Sequence, residues 1–396
     1  MMRILVTGAA GFIGSHVWRA LDARGHELVG IDALVPQVHG LRPDRSQIDP
    51  RIQVTTLERA LSSQLPWPTV CSVDVIVHLA AEVGVAQSAY EPARYVKANV
   101  METALLWDRV IELITQPHRR LRRMVVASSM SVYGEGAYTQ WPEQPDGGIP
   151  TLGRDILRGL HRVPERGWDA FDDHYGQSVE GILEPILTKE EKVPEPSSVY
   201  ALSKLDTERY SMLLGGSYNL ETVALRLFNC FGPGQALANA YTGVLAGFAC
   251  RVLNGRPPLV YEDGKQSRDF IHVDDVASAV VAAVEAESVH GVYNVATGIA
   301  TSVGELAAHW CRIAADRGLP AVEPEILGKF RVGDVRHCIG DPTRFQRATG
   351  WEARRRLADG LPLVADWILA NHFDVNVPVD HAADAAGELR AHGLER

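Results

Sequence analysis

In the stretch SVYALSK a tyrosine and a lysine, Tyr200 and Lys204, stand four residues apart, which puts them one turn apart on a single face of a helix. A phenol with its ordinary pKa of about 10 is a poor base at neutral pH. A neighbouring ammonium, together with a cationic ring on a bound cofactor, would lower that value toward neutrality and make a phenolate able to take a proton from a hydroxyl group. Tyr-x-x-x-Lys also arises by chance on surface helices, so the pair draws its weight from its company. In VVASSMSVYGEG an apolar run beginning at Val125 ends in Ser129 and Ser131, four and two residues before Tyr133. No acid lies between them, and neither Met130 nor Ser131 can act as a general acid or base at neutral pH. The run offers hydroxyl groups and nothing that titrates.

A second set of residues could hold a dinucleotide. TGAAGFIG places Gly8, Gly11 and Gly14 at the end of a first strand and the opening of a first helix, with Phe12 and Ile13 in that helix's first turn. Glycines here let the chain turn tightly, let a pyrophosphate reach the amides at the helix N-terminus, and let helix pack on strand. The spacing is G-x-x-G-x-x-G, and glycines serve ordinary turns too, so the motif gains meaning from Asp32. That residue ends VGID roughly twenty positions past the turn, where a carboxylate accepts hydrogen bonds from an adenosine ribose and repels a 2′-phosphate. The expected cofactor is therefore NAD; an aspartate that caps the next turn is the plainer reading. VHLAA ends another strand with Leu79, Ala80 and Ala81, the alanines small enough to let the backbone pass close to the cofactor, or simply to pack.

These residues need elements to position them. Short β-branched runs (RILVTG, ELVGID, VDVIVHLAA, RMVVASS) alternate with helical stretches that include Ser15 to Arg24 and Arg94 to Ile114. Strands buried on both faces and separated by amphipathic helices are what parallel crossovers require. The expected fold is α/β: a Rossmann-like doubly wound parallel sheet with a smaller C-terminal α/β substrate domain and a long insertion. In the first helix Ile13, Val17 and Leu21 make one apolar stripe, and Gly25 supplies a left-handed stop. The organisation reads as a cofactor-binding domain over 1–230 with an insertion at about 135–196, a mainly substrate-binding domain over 231–375, and a tail over 376–396. Between Tyr133 and Tyr200 the pattern dissolves into Pro-, Gly- and charge-rich sequence too long for a plain loop, and a short helix or two, forming a lid, is expected there. Further helices are expected near Asp274 to Glu287 and Val303 to Arg317, and the tail reads as a weakly packed helix or frayed end.

With 46% hydrophobic and 22% charged residues among 396, the chain falls in the globular class rather than the disordered one. A net charge of -10 argues against a nucleic-acid partner. No apolar run reaches the length of a membrane span, and MMRILVTGAAG runs straight into a strand rather than a signal-peptide core. The five cysteines, Cys71, Cys230, Cys250, Cys311 and Cys338, are scattered singly, with no Cys-x-x-Cys pair to suggest zinc or a redox couple. No metal is assigned, and a cytoplasmic protein with buried free thiols is expected.

In their order along the chain these motifs resemble the extended short-chain dehydrogenase/reductases, specifically the NAD-dependent sugar-nucleotide epimerases and dehydratases. The resemblance runs from ILVTGAAGFIGSH to RVGDVRHCIGD and the GW at Trp351, leaving the insertion and tail outside. It implies that Ser129 hydrogen-bonds the reacting sugar hydroxyl beside Tyr200, that Lys204 binds the nicotinamide ribose and tunes Tyr200, and that Asn99 in KANVMET belongs to the cofactor site. It also implies that Asn229 in RLFNCFGPG contacts the sugar diphosphate, that Arg268 and Arg331 grip its phosphates, that Asp334 touches the nucleotide ribose, and that Tyr261 faces the base. Ser131 would meet the sugar with Ser129 and Asn229. For Arg268, Arg331 and Asp334 a structural salt bridge is the plainer alternative. A homodimer built from the helices after Asn99 and around Tyr200 is implied as well. IQVTTLERA departs from the family pattern: it lacks the acid often placed against adenine, with Thr56 or Leu57 standing nearby.

Dehydratases of this kind carry an Asp-Glu pair after the catalytic Thr or Ser, because eliminating water needs one group to protonate the leaving hydroxyl and another to remove a carbon-bound proton. Met130 and Ser131 stand at those positions, so elimination loses support, and so does decarboxylation. The implied reaction is epimerisation: Tyr200 removes the proton of the sugar's 4-hydroxyl while hydride passes from C4 to NAD, and the 4-keto sugar turns and takes the hydride back on its other face. Such a site must hold the nucleotide firmly and the sugar loosely. VGVAQSAYEPARYVKANV and VYEDGKQSRDFIHV look most like epimerases of dTDP-6-deoxysugars, the rhamnose 4-epimerases among them. A UDP-hexose or UDP-hexuronate 4-epimerase, a reductase of 4-keto sugars, and an NAD-binding protein without turnover are the alternatives.

Overall fold

The computed structural model of the protein describes residues 1–40, 43, 45–61, 72–116, 119–141, 153–163, 167–173, 181–235, 243–331, 333–372, 387–388 and 390–395. At its centre lies a sheet of seven parallel strands: β1 (Arg3–Thr7), β2 (Glu27–Asp32), β3 (Ile52–Val54), β4 (Val75–His78), β5 (Arg123–Ser129), β6 (Glu221–Leu227) and β7 (Gly291–Val295). Their spatial order is β7-β6-β5-β4-β1-β2-β3, so the winding reverses between β1 and β4. At such a switch point the loops leaving neighbouring strands diverge and open a crevice beyond the strands' C-terminal ends.

The main helices are α1 (Phe12–Ala23), α2 (Glu102–Ile114), α3 (Val199–Ser217), α4 (Val273–Glu285) and α5 (Val303–Ala315). Successive strand residues point to opposite faces, and each face is covered. Ile4, Val6, Val75 and Val125 share a core with Val17 and Leu21 of α1 and Val276 and Val280 of α4. Leu5, Ile76, Met124 and Val126 share another with Leu106, Trp107 and Val110 of α2. This burial on both faces explains why the strands read as continuous apolar runs. No helix among the described residues is long and apolar enough to cross a membrane.

A second, mixed sheet has the order Thr301–Ser302, Ser267–Arg268, His337–Gly340, Ile182–Thr188, Ala137–Trp141, Arg154–Ile156. The described residues of the insertion contain no helix. The described residues there form five short strands, Ala137–Trp141, Arg154–Ile156, Leu160–Arg162, Phe171–Asp173 and Ile182–Thr188. These strands pair mostly among themselves, and Leu187 and Thr188 join them in parallel to Ile339 and Gly340, so that pairing rather than local preference decides their form. The described end of the tail is helical at 387–388 and 390–391, exposed, and held to the rest of the chain by a few contacts. Tyr90 donates to Glu388 (2.7 Å) and stacks on His392 (4.8 Å between centroids), while Glu395 bridges Arg331 and lies 3.3 Å from Lys329 Nζ. Residues 373–386 and Cys71 lie outside the described residues.

Candidate active site

The glycine turn sits at the switch point. Gly8 adopts φ +69, and a Cβ there would come within 2.8 Å of the Ala80 nitrogen and 3.0 Å of the Leu79 carbonyl carbon. A Cβ on Gly14 would land on the Gly8 carbonyl oxygen. Both glycines are thus required by close backbone approach, Gly8 to the strand end carrying Leu79, Ala80 and Ala81, and Gly14 to the turn itself. Gly11 opens α1 with no side-chain cap, so the first-turn amides around Phe12 and Ile13 are left for a ligand, and the positive end of the helix points at it.

Asp32, 7% exposed, ends β2 beside this turn and accepts from the amides of Ala10 (2.9 Å) and Leu34 (2.8 Å), with His39 Nε2 3.6 Å away. Burial opposes its ionisation, but His39 and the two amides outweigh that and hold its carboxyl below the ordinary range. It is a fixed anion beside the glycine turn. Thr56 and Leu57 are spoken for: Thr56 Oγ1 accepts the Arg59 amide at 3.3 Å, and Leu57 is buried in the core. Neither supplies an acid against an adenine.

α3 carries Tyr200 and Lys204. Ser198 caps the helix by accepting the Ala201 amide (3.1 Å), and Ser88 accepts the Tyr200 amide (3.0 Å). Ser131 donates both its amide (3.2 Å) and its hydroxyl (2.8 Å) to Ser129 Oγ. A hydroxyl has two lone pairs, so Ser129 is left to act as a donor, and its hydrogen bond with Tyr200 favours the phenolate. The expectation that Lys204 lowers the phenol is not met by the protein alone. Burial raises Tyr200 above its ordinary value, and Ser129 offsets this only in part. Burial likewise pushes Lys204 down to about 8, with Glu208 one turn on pulling the other way. Met130 is packed in the main core.

Asn99 acts through its neighbours. It lies in a π-helical turn, Val96–Met101, of the kind that often marks functional sites. Its Oδ1 accepts the Glu82 amide (2.8 Å), while Nδ2 donates to the Glu82 carbonyl (3.0 Å) and to Ser203 Oγ (2.9 Å). Both amide hydrogens are used, and the result is to lock the segment after Ala81 to α3 one residue before Lys204.

The far side of the crevice holds the other expected residues. Asn229 Nδ2 donates to the Asp269 carbonyl at 3.1 Å. Arg268 lies on the second sheet and donates to the carbonyls of Ser267 (2.9 Å), Arg336 (3.1 Å) and Val335 (2.6 Å), which are backbone contacts rather than an ion pair. Arg331 places its guanidinium 4.1 Å from the centroid of the Tyr261 ring, and its Nε is buried with no partner among the described residues. One face of Tyr261 is therefore already covered, which narrows how a base could meet it. Asp334 turns back on Arg331, its amide donating to that carbonyl at 3.2 Å.

Sequence reasoning missed the groups that hold these residues. Asp269 is buried, which raises its carboxyl to about 6 against the pull of donors from Thr297, Gly298 and Gly340. It ties three loops around Asn229. His78, pushed down to about 3 by burial and by Lys204, links Thr7 (2.7 Å) to Thr103 (3.0 Å). The position of Asp269 beside Arg268 in SRDF was a visible signal; His78 had none.

The pattern of the NAD dependent epimerase/dehydratase family matches residues 4–150 and 173–296. A dTDP-L-rhamnose 4-epimerase from Burkholderia thailandensis is 34% identical over 373 residues, 92% of this chain and 94% of that one. The chain belongs to the NAD dependent epimerase/dehydratase family. Its cofactor is NAD, which the glycine cradle, the open helix amides and the Asp32 carboxylate fit. Two solved structures share the fold: a UDP-glucose 4-epimerase of Thermus thermophilus in complex with NAD (27% identical, TM-score 0.67, 93% of this chain and all of that one at 100%), and MoeE5 in complex with UDP-glucuronic acid and NAD (27%, TM-score 0.68, 93% and 99%).

Proposed function

We propose that the protein is a nucleoside-diphosphate-sugar 4-epimerase working through a 4-keto sugar, with a dTDP-6-deoxyhexose such as dTDP-L-rhamnose as its favoured substrate. The observation that carries the reaction type is that Ser131, Ser129 and Tyr200 bring hydroxyl groups together, while Met130, where elimination would need an acid, is buried in the core. NAD, when bound, supplies the hydride acceptor and donor at C4. Tyr200 takes the 4-hydroxyl proton and returns it, Ser129 donates a hydrogen bond to the reacting oxygen, and Lys204 supports the charge of the phenolate. Arg268, Arg331, Asn229 and Asp334 hold the diphosphate and ribose, with Tyr261 at the base. Residues 1–230 carry the cofactor and 231–375 chiefly the nucleotide sugar.

The dTDP-6-deoxysugar is favoured by the 34% identical relative, and a UDP-hexose or hexuronate by the two solved structures. Incubated with NAD and a panel of dTDP- and UDP-sugars, the protein should bring one pair of C4 epimers to equilibrium by NMR, fastest with dTDP-L-rhamnose. Net formation of reduced cofactor together with a keto sugar would mean a reductase, running in reverse, instead.

The chain is also assigned to the cytoplasm, in keeping with free Cys230, Cys250, Cys311 and Cys338, and to a homodimer. Val96 and Met101 before α2, and Leu202, Tyr210 and Leu213 on α3, are 44% to 68% exposed, an apolar face larger than isolated surface residues need. Light scattering should give the mass of two chains, and Leu213→Glu should give one.

A further inference from the structure

We infer that the described residues 153–163 and 167–173 of the insertion position the nucleotide end of the site, through Arg162 and Trp168, and do not serve as a lid. The inference rests on the epimerase reading for the identity of the ligand, a nucleoside diphosphate.

The segment that carries Tyr261 is held in an unfavourable shape. Glu262, the next residue, has φ 58, a left-handed conformation that costs a non-glycine residue free energy and persists only where surroundings enforce it. Its carboxylate, 2% exposed, is gripped by Arg162 of the insertion in a bidentate pair (2.7 and 2.6 Å) and by Arg336 Nη1 (3.0 Å). Arg336 in turn reaches Asp263 (2.6 Å) and Asp169 of the insertion (2.9 Å). A planar guanidinium facing a carboxylate fixes direction as well as distance.

The segment carrying Arg331 is tied to the same place. The Glu262 amide donates to the Lys329 carbonyl (2.7 Å), and the Gly328 amide returns to the Glu262 carbonyl (3.2 Å). Phe330, next to Arg331, meets the Trp168 ring edge to face, with centroids 6.1 Å apart at 73°. The insertion thus holds both segments whose side chains, Tyr261 and Arg331, lie one over the other at 4.1 Å. An element bound to the site wall by the buried Arg162–Glu262 pair is a poor candidate for a moving cover, since opening would strand buried charges.

Arg162 and Trp168 are positioning residues, acting through Glu262 and Phe330. The test uses the full chain loaded with NAD, and reads kcat and KM for the epimerised sugar together with calorimetric affinity for free dTDP and UDP. Trp168→Ala should raise KM and weaken nucleoside diphosphate binding by about tenfold, the scale of a lost aromatic pair, with kcat within about twofold and NAD content unchanged. Trp168→Phe should restore most of the loss, and Arg162→Lys, which keeps the charge but not the fork, should fall between. Unchanged affinity in Trp168→Ala would overturn the inference. Nucleoside diphosphate binding by the wild type without turnover would count against the epimerase reading alone, because the effect on affinity would still be measured; a wild type binding neither nucleotide would overturn both.

Discussion

Tyr200→Phe should lower turnover by about a thousandfold, within the usual range for loss of a general acid-base group, while leaving NAD bound and the fold intact. The ring would stay in place because α3 is anchored by the Ser198 cap and by the bond from the Tyr200 amide to Ser88, and neither uses the phenol oxygen. What the substitution removes is the atom that Ser129 hydrogen-bonds. The expected signature is a normal cofactor content, a normal melting temperature and almost no interconversion of epimers by NMR. A variant retaining a tenth or more of wild-type turnover would take Tyr200 out of the mechanism.

Glu208→Gln should cost the protein about 3 to 5 kcal/mol of stability, the usual penalty for stranding one member of a buried ion pair. Glu208 and Arg226 are both 5% exposed and joined at 2.6 and 2.9 Å, and Ser128 donates to the same carboxylate at 2.7 Å. The amide keeps the shape and loses the charge, leaving the Arg226 guanidinium, stacked on the Tyr133 ring at 4.6 Å, uncompensated. The same change reaches the site. Glu208 is the group that raises Lys204 against the downward push of burial, so its loss should move the lysine below its present value of about 8 and leave less ammonium at neutral pH. Chemical denaturation reads the first effect, and activity against pH the second. A stability loss under about 1 kcal/mol, the level of an exposed pair, would mean that the pair is not the buried link described.

The parallel sheet was legible because its physics is local. RILVTG, VDVIVHLAA and RMVVASS are apolar on both faces for the same reason that α1 and α2 must cover them, and period and length alone reveal that. The glycine turn was legible because Gly8 and Gly14 answer to backbone approach, which no other residue type satisfies. The insertion was not: of its strands only Ile182–Thr188 pairs with His337–Gly340, about 150 residues on, while the others are short and pair among themselves, and such pairing leaves little local trace. Tyr261 was placed on the nucleotide side, but that Arg331 covers its ring is a fact of packing between two segments. Asn99 is expected in the cofactor site, but that its side chain ties Glu82 to Ser203 is not legible, because a sequence shows which side chain can bond and not which partner it reaches. The phenol of Tyr200 shows the same limit, because helical spacing places Lys204 near it but burial decides the direction of its shift.

The most direct test of the central claim is to run the reaction in deuterated water with NAD and follow the sugar by NMR. If Tyr200 handles only the oxygen-bound proton and the C4 hydrogen never equilibrates with solvent, the two C4 epimers should reach equilibrium with hydrogen retained at C4 and no deuterium elsewhere on the ring. Deuterium at C5 or C6, or a stable 4-keto product, would show carbon-proton removal and elimination, and would contradict the role given to Ser129, Met130 and Ser131.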